Sequence, residues 1–291
     1  MKTKLLSLTY VVVLSLISAI IAYESWGNAI GYEHSVNKMT EKLHISDNLK
    51  SSGKKILEKI TFSWYDGYSQ DVEELKKIKE KSEKYNKNAY RFTKAFLGIV
   101  LLSLVLYFIG KKRALLFGLI ALSIIALITG WYSPILEITA YQEIPVLGNT
   151  IFQYESKSII SALYKIFDQQ QYAIGGIILL FTVITPILKT FLLLIISFRE
   201  KLHLSIKKIK ILSAIGKWSM LDVFVVAIVV TYFSMKSTGQ TDANLQIGVY
   251  YFSIYVILSM ICTYIVSGKA RLDLKNAELT SKNPKASPKS N

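Results

Sequence analysis

Cysteine, histidine and charged residues are all scarce in this chain of 291 residues. Its one cysteine, Cys262, cannot form an internal disulfide, and the chain lacks a CxxC pair for zinc or redox chemistry. None of the three histidines, His34, His44 and His203, lies at a ligand spacing from another. The HExxH, GxSxG and P-loop motifs are missing as well. The sequence therefore predicts no metal and no other cofactor, and we expect a protein that is not an enzyme.

Charged residues make up 19% of the chain, hydrophobic residues make up 52%, and the mean hydropathy is +0.36. A soluble domain typically carries about 25% charged residues. The apolar residues are gathered into runs of about 20, which is the length that crosses a bilayer as a helix. These features exclude an ordinary soluble enzyme and a disordered chain, and they predict an integral membrane protein.

Six apolar segments are candidate membrane helices, because backbone groups in lipid must be hydrogen-bonded within their own segment. They are residues 5–23, 93–110, 114–131, 172–198, 221–235 and 247–268. The sequence therefore predicts an all-α, polytopic fold with six transmembrane helices. We divide it into an N-terminal anchor helix at 1–23, a helical domain at 24–92, a second transmembrane helix at 93–110, a four-helix core at 111–270 and a basic tail at 271–291.

The distribution of Lys and Arg predicts the orientation in the membrane. With the N-terminus inside, the cytoplasmic segments carry 17 basic residues, whereas the external loops 132–171 and 236–246 carry three. Both termini are therefore expected in the cytoplasm, and segment 24–92 is expected outside it. The net charge of +15 is then largely a topology signal. Because no basic stripe carries interleaved aromatic residues, nucleic acid is not an expected partner.

The N-terminal run at 5–23 has two interpretations. Lys2 and Lys4 precede it and Ala22 stands near its end, as in a cleaved signal peptide. However, 19 residues are many for the hydrophobic region of a signal peptide, and Ile20 stands where a small residue is expected. We therefore expect an uncleaved membrane anchor.

Segment 24–92 carries 13 basic and 11 acidic residues, and its apolar residues recur at helical spacing. Pairs of Glu and Lys four residues apart predict that 71–92 continues as one helix into the second span. The segment is either a spacer or dimerisation stalk, which would make the protein a homo-oligomer, or a ligand sensor. At the other terminus, residues 276–291 contain two prolines and almost no apolar residues, so the tail at 271–291 is predicted to be disordered and cytoplasmic.

Lys189 is an ionisable residue well inside the fourth apolar segment, where a charge is costly and therefore indicates function. It shares one helix face with Thr182 and with Thr185 or Pro186. Pro186 removes a backbone hydrogen bond and frees the carbonyl of Thr182, which predicts a kink or a polar pocket. In the alternative interpretation, the Lys189 ammonium snorkels to the membrane surface.

Asp222 lies near the start of the fifth apolar segment, three residues after Ser219. These two side chains either cap the helix N-terminus, with Trp218 at the membrane interface, or place the Asp222 carboxylate beside Lys189 on a neighbouring helix. Both interpretations remain open. Four more carboxylates lie in loop 132–171 without the spacing of a catalytic pair: Glu137, Glu143, Glu155 and Asp168.

Three stretches resemble the paraquat-inducible protein A family of bacterial inner-membrane proteins. They are GKWSMLDVFVVA at 216–227, WYSPILEI at 131–138 and TPILK at 185–189. The first is fairly specific, and all three occur in the family's order and spacing over roughly 112–270. Many members carry two such four-helix modules and cytoplasmic CxxC pairs, whereas this sequence has one module and no pair.

This resemblance implies a protein of the cell envelope and its stress response that takes part in lipid transport. Its implied partners are membrane lipid and a periplasmic protein with mammalian-cell-entry (MCE) domains, whose tunnels carry phospholipid between membranes. Thr182, Lys189, Ser219 and Asp222 would form a polar cluster that handles a lipid headgroup, with Lys189 facing the phosphate. Two other functions remain open: a structural or sensing protein that acts through segment 24–92, and an ion-coupled permease for small solutes.

Overall fold

The computed structural model describes residues 2–47, 67–110, 113–144, 148–198 and 241–282. Several predicted features lie outside the described residues: the fifth apolar segment at 221–235, the side chains of Trp218, Ser219 and Asp222, and the end of the tail at 283–291. Helices account for most of what is described, and the prediction of a largely helical, multi-pass membrane protein is confirmed.

The described chain contains seven α-helices: α1 (Lys2–Asp47), α2 (Gly67–Gly110), α3 (Arg113–Tyr132), α4 (Ile159–Asp168), α5 (Tyr172–Leu179), α6 (Thr185–Phe198) and α7 (Ile247–Lys282). A π-helical segment, Leu180–Ile184, joins α5 to α6. Among the described residues, five stretches are long and apolar enough to cross a membrane: Thr9–Lys38, Lys76–Gly110, Arg113–Tyr132, Tyr172–Ser197 and Ile247–Gly268. They correspond to five of the six predicted spans, and the remaining one, 221–235, lies outside the described residues.

Helices α1 and α2 are 46 and 44 residues long, which is more than twice the about 20 residues that cross a bilayer. Each continues unbroken through a predicted domain boundary, α1 past residue 23 and α2 past residue 92. The prediction that 71–92 forms one helix with the second span is therefore confirmed.

Small and hydroxyl-bearing residues hold α1 against α2. Ala22, Ala29 and Ala89 are buried between helices, and the Ser25 hydroxyl donates to the Ala89 carbonyl oxygen at 3.0 Å. The same hydroxyl lies 2.8 Å from the hydroxyl of Thr93. Small side chains allow two backbones to approach, and hydroxyl groups supply the interhelical hydrogen bonds that lipid cannot.

The most buried part of the bundle lies between α3 and α7. A Cβ atom at Gly130 would lie only 2.9 Å from the backbone nitrogen of Phe252, so this close approach requires glycine. Elsewhere in the same two helices, Leu119, Leu122 and Leu258 are fully buried. At the far end of α3, Arg113 Nε donates to the Ser197 carbonyl oxygen at 3.0 Å and so ties the start of α3 to the end of α6.

A three-stranded antiparallel sheet covers one end of the bundle, which we call the sheet end. Its strands are β1 (Leu136–Ile144), β2 (Gly148–Lys157) and β3 (Thr241–Leu245), in the order β2-β1-β3. Leu136 pairs with Lys157 of β2 and with Leu245 of β3. Strands β1 and β2 lie in the predicted loop 132–171, and β3 lies in the predicted loop 236–246. The sheet is therefore an addition to the predicted fold. It forms where α3 ends and α7 begins.

Helix α7 also differs from its predicted end. The tail was predicted to be disordered from residue 271, but α7 remains helical to Lys282. The physical reason is composition, because Ala, Leu, Lys, Arg and Glu are good helix formers and the first proline of the tail is Pro284.

Candidate functional site

The candidate site begins with a backbone irregularity at Pro186. Proline lacks an N–H group, and its ring would collide with the carbonyl four residues earlier in a regular helix. The chain before Pro186 avoids the collision by widening into the π-helical segment Leu180–Ile184. Both the backbone N–H and the hydroxyl of Thr185 bond to the Leu180 carbonyl, five residues back, the latter at 2.9 Å.

The carbonyl of Thr182 is released by this distortion, as the sequence predicts. The indole N–H of Trp131, near the end of α3, donates to it at 2.9 Å. The Thr182 hydroxyl donates instead to the Ile178 carbonyl of its own helix, at 2.7 Å. The freed backbone acceptor is therefore satisfied by a neighbouring helix, and it fixes α3 against the irregular turn.

Lys189 lies one turn beyond Pro186 and is only 2% exposed. Its neighbours on the helix, Ile187 and Leu188, are about half exposed, so the lysine faces the protein and the aliphatic residues face lipid. This burial favours the polar-site interpretation of Lys189 over snorkelling along the outer surface.

Tyr255 of α7 also places a polar group against α6. Its hydroxyl donates to the Pro186 carbonyl oxygen at 3.1 Å and lies 3.4 Å from the hydroxyl of Thr190. Tyr255 and Thr190 are both buried. Tyr255 is not among the residues predicted from the sequence, although a tyrosine in the middle of a membrane span needs a partner for its hydroxyl and so indicates a polar contact.

The structure thus brings together part of the predicted cluster. Thr182, Pro186 and Lys189 are all buried on one face, whereas Thr185 is half-buried and bonded within its own helix. The predicted positions of Ser219 and Asp222 beside Lys189, and of Trp218 at the interface, fall outside the described residues and stay predictions. In the part of the chain that is described, no three His, Cys, Asp or Glu side chains are grouped to hold a metal ion.

A second polar cluster, at the sheet end, is built around Glu137 of β1, which is 6% exposed. The Tyr32 hydroxyl of α1 donates to Glu137 Oε1 at 3.1 Å, and the side-chain amide of Gln246 donates to Oε2. The Tyr154 phenol of β2 lies nearby. Its pKa is raised, mainly because the side chain is buried and also because of the negative charge of Glu137. The sequence identifies Glu137 only as a carboxylate in loop 132–171, and its burial is not predicted.

Two further hydrogen bonds attach α1 and α2 to the same end of the bundle. The Tyr90 hydroxyl of α2 donates to the Leu245 carbonyl of β3 at 2.8 Å. The indole N–H of Trp26 in α1 donates to the Tyr132 carbonyl at 3.3 Å. The sheet end is therefore a junction at which the two long N-terminal helices meet the rest of the chain.

Comparison with known proteins identifies the region from α3 to α7. The family model described as Paraquat-inducible protein A matches residues 114–270, which is more than half of the chain. The matched region contains both polar clusters except for Tyr32, and it leaves α1 and α2 outside. The comparison with curated proteins and the comparison with solved structures each give no match.

Proposed function

Because this chain belongs to the paraquat-inducible protein A family, we propose that it is a non-enzymatic component of lipid transport or membrane homeostasis in the bacterial inner membrane. In this proposal, the protein handles a lipid headgroup at an intramembrane polar cluster formed by Thr182, Thr185, Lys189, Ser219 and Asp222. Its orientation has both termini in the cytoplasm and the sheet end in the periplasm.

The observation that supports the proposal best is the burial of Lys189 inside a candidate membrane span. An ammonium group at this depth costs several kcal/mol unless an anionic or strongly polar partner meets it, so such residues mark binding sites. A phosphate is a suitable partner, because it carries the opposite charge and several acceptor oxygens. Asp222 would orient Lys189 or exchange a proton with it when the lipid leaves.

The experiment that tests the proposal is mass spectrometry of the lipids retained by gently purified protein, wild type beside Lys189→Ala. We expect a defined phospholipid to be enriched over the bulk membrane in the wild type and lost in the variant. Lys165→Ala is the matched control, because Lys165 lies on α4 outside the spans and its side chain is 50% exposed. A lipid profile that equals the bulk membrane in all three proteins would contradict the proposal.

The orientation is tested by cysteine labelling in a Cys262→Ser background. An impermeant thiol reagent added to whole cells or spheroplasts should label a cysteine placed at Lys165 and leave one placed at Lys207 unlabelled. Labelling at position 207 from outside would reverse the topology. An MCE-domain protein is the proposed periplasmic partner. Cross-linking from Lys165, at the sheet end, tests whether such a protein binds there.

A structural or sensing function of the N-terminal segment is the second candidate, and the length of α1 and α2 favours it. Residues 39–75 lie between the two candidate spans Thr9–Lys38 and Lys76–Gly110. Replacing 39–75 with a short flexible linker retains both spans and removes what lies between them. Loss of the cellular phenotype with unchanged lipid retention would favour this second function over lipid handling at Lys189.

A further inference from the structure

A groove between α1 and α3 opens on the lipid-facing surface of the bundle. It has a volume of about 480 Å³, and its walls include Ala19, Ala22, Trp26, Ile125, Ile128 and Tyr132. That volume lies within the range of about 300–1,000 Å³ that is typical of small-molecule sites. Both walls belong to candidate membrane spans, Thr9–Lys38 and Arg113–Tyr132, so the medium outside the groove is lipid hydrocarbon.

The groove is closed at both ends by contacts between the same two helices. Towards the N-terminus of α1, the Leu14 side chain packs on Gly118, where a Cβ atom would lie 3.3 Å from Leu14 Cδ2. At the sheet end, the indole N–H of Trp26 donates to the Tyr132 carbonyl at 3.3 Å. Between these contacts Ala19, with its single methyl group, is too small to fill the space. The result is a slot of defined length with one open side.

The open side is continuous with the surface that the bundle presents to lipid. Tyr23 and Ile128 line the slot and are 66% and 49% exposed. From Ala19 to Trp26 the wall of α1 rises about 10 Å, at ~1.5 Å per residue. One leaflet of a hydrocarbon core of ~30 Å is about 15 Å deep, so the slot accepts most of the length of one lipid tail.

We propose that this groove binds one acyl chain of a membrane phospholipid, with the ester end of the chain at Trp26 and Tyr132. Tryptophan and tyrosine prefer the boundary between hydrocarbon and headgroups, and they stand at the end of the slot where the headgroup would begin. The bound chain gains close contacts along three sides that a chain in the open bilayer does not make. One wall of the groove, α3, lies inside the family match and the other, α1, lies outside it, so the complete groove requires the N-terminal addition of this chain. The site does not depend on headgroup handling at Lys189.

The test is native mass spectrometry of the full-length protein in detergent micelles doped with palmitoyl-oleoyl phosphatidylglycerol. Ala19→Phe places a ring in the slot, and Ala19 is exposed, so the substitution does not disturb buried packing. We expect it to lower the amount of retained lipid by roughly tenfold, because overpacking excludes the tail. Ala95→Phe is the matched control, since Ala95 is an exposed alanine in the α2 span away from the groove, and it should retain the lipid.

The same pair of substitutions in a Lys189→Ala background separates this site from the proposed headgroup site. We expect Ala19→Phe to remove one lipid adduct there as well. Equal retention by the Ala19→Phe and Ala95→Phe proteins, or equal loss from both, would overturn the proposal. So would a disulfide between a cysteine at position 19 and cysteines introduced at 221–235, because the slot would then be covered by another part of the chain.

Discussion

Two charged side chains are buried in the described part of this protein, at different depths and in different settings. Glu137 at the sheet end is 6% exposed and accepts hydrogen bonds from Tyr32 and from Gln246, which belong to opposite ends of the chain. Lys189 in α6 is 2% exposed and stands one turn beyond a π-helical distortion. The first charge joins three distant elements, whereas the second lies where a helix is locally irregular.

The difference separates a charge that joins distant elements of the fold from one that lies inside a membrane span beside a distorted helical turn. A carboxylate that receives donors from separate elements stabilises their relative positions, because removing it leaves those donors buried without an acceptor. A lysine inside a membrane span is costly in lipid and so indicates a functional site. The comparison therefore predicts that stability depends on Glu137 and that lipid handling depends on Lys189.

Replacement of Glu137 by alanine should have the largest effect on stability. We expect Glu137→Ala to lower the free energy of unfolding by about 3 kcal/mol, because the buried Gln246 amide and the half-buried Tyr32 hydroxyl lose a charged acceptor. Thermal unfolding in detergent measures this. Glu155→Ala is the control in the neighbouring strand and should cost less than about 1 kcal/mol, because its ion pairs are partly exposed. If the two variants unfold alike, Glu137 does not hold the sheet end together.

Substitutions of Lys189 and Asp222 should have the next largest effect, and we expect it in lipid retention rather than in stability. If they interact, Lys189→Ala and Asp222→Asn should be non-additive by about 1–3 kcal/mol in a lipid-retention assay. The measurement is a double-mutant cycle with the two single variants and the double variant. Additive losses would show that the residues act separately and would leave Asp222 with the helix-capping interpretation.

Trp131 tests whether the irregular turn before Lys189 depends on its neighbour. Trp131→Phe retains an aromatic ring and removes the indole N–H that bonds the Thr182 carbonyl at 2.9 Å. We expect a loss of about 1 kcal/mol in stability, since a backbone acceptor in lipid loses its partner. Trp26→Phe is the matched control, because its bond to Tyr132 is longer, at 3.3 Å, and should cost less. If both variants lose the same stability, the bond from Trp131 to the released Thr182 carbonyl contributes no more than the bond from Trp26 to Tyr132.

The membrane spans could be predicted from the sequence because their signal is local. Each span is a continuous apolar run, and the five described spans lie where hydropathy predicts them. The face shared by Thr182, Pro186 and Lys189 follows from helical spacing in the same way. The release of the Thr182 carbonyl also follows from one residue, Pro186, whose chemistry is fixed.

The sheet and the partners of the polar groups could not be predicted, because they depend on distant parts of the chain. Strand β1 pairs with β3 across about one hundred residues, and β3 has only five residues, with no strong alternation of polarity. Glu137 looked like an ordinary loop carboxylate because Tyr32 and Gln246, its donors, are separated from it by 105 and 109 positions. For the same reason the sequence did not identify Trp131 as the donor to Thr182.

Substitution of Glu155 should have the smallest effect on stability, in contrast to substitution of Glu137. Lys157 and Lys165 approach its carboxylate at 2.7 and 2.8 Å, and these contacts hold the pKa of Glu155 below its ordinary value. A carboxyl group with a lowered pKa stabilises the fold above its unfolded pKa, and this contribution is lost as the pH falls through its folded pKa.

We therefore expect Glu155→Gln to flatten slightly the acid side of a plot of Tm against pH, below about pH 4, and to change little at neutral pH. The effect must be small because the three side chains are about a third to a half exposed. A change in the Glu155→Gln profile as large as the loss in Glu137→Ala would mean that an exposed ion pair and a buried carboxylate contribute equally at this end of the molecule, and the distinction drawn between them would fail.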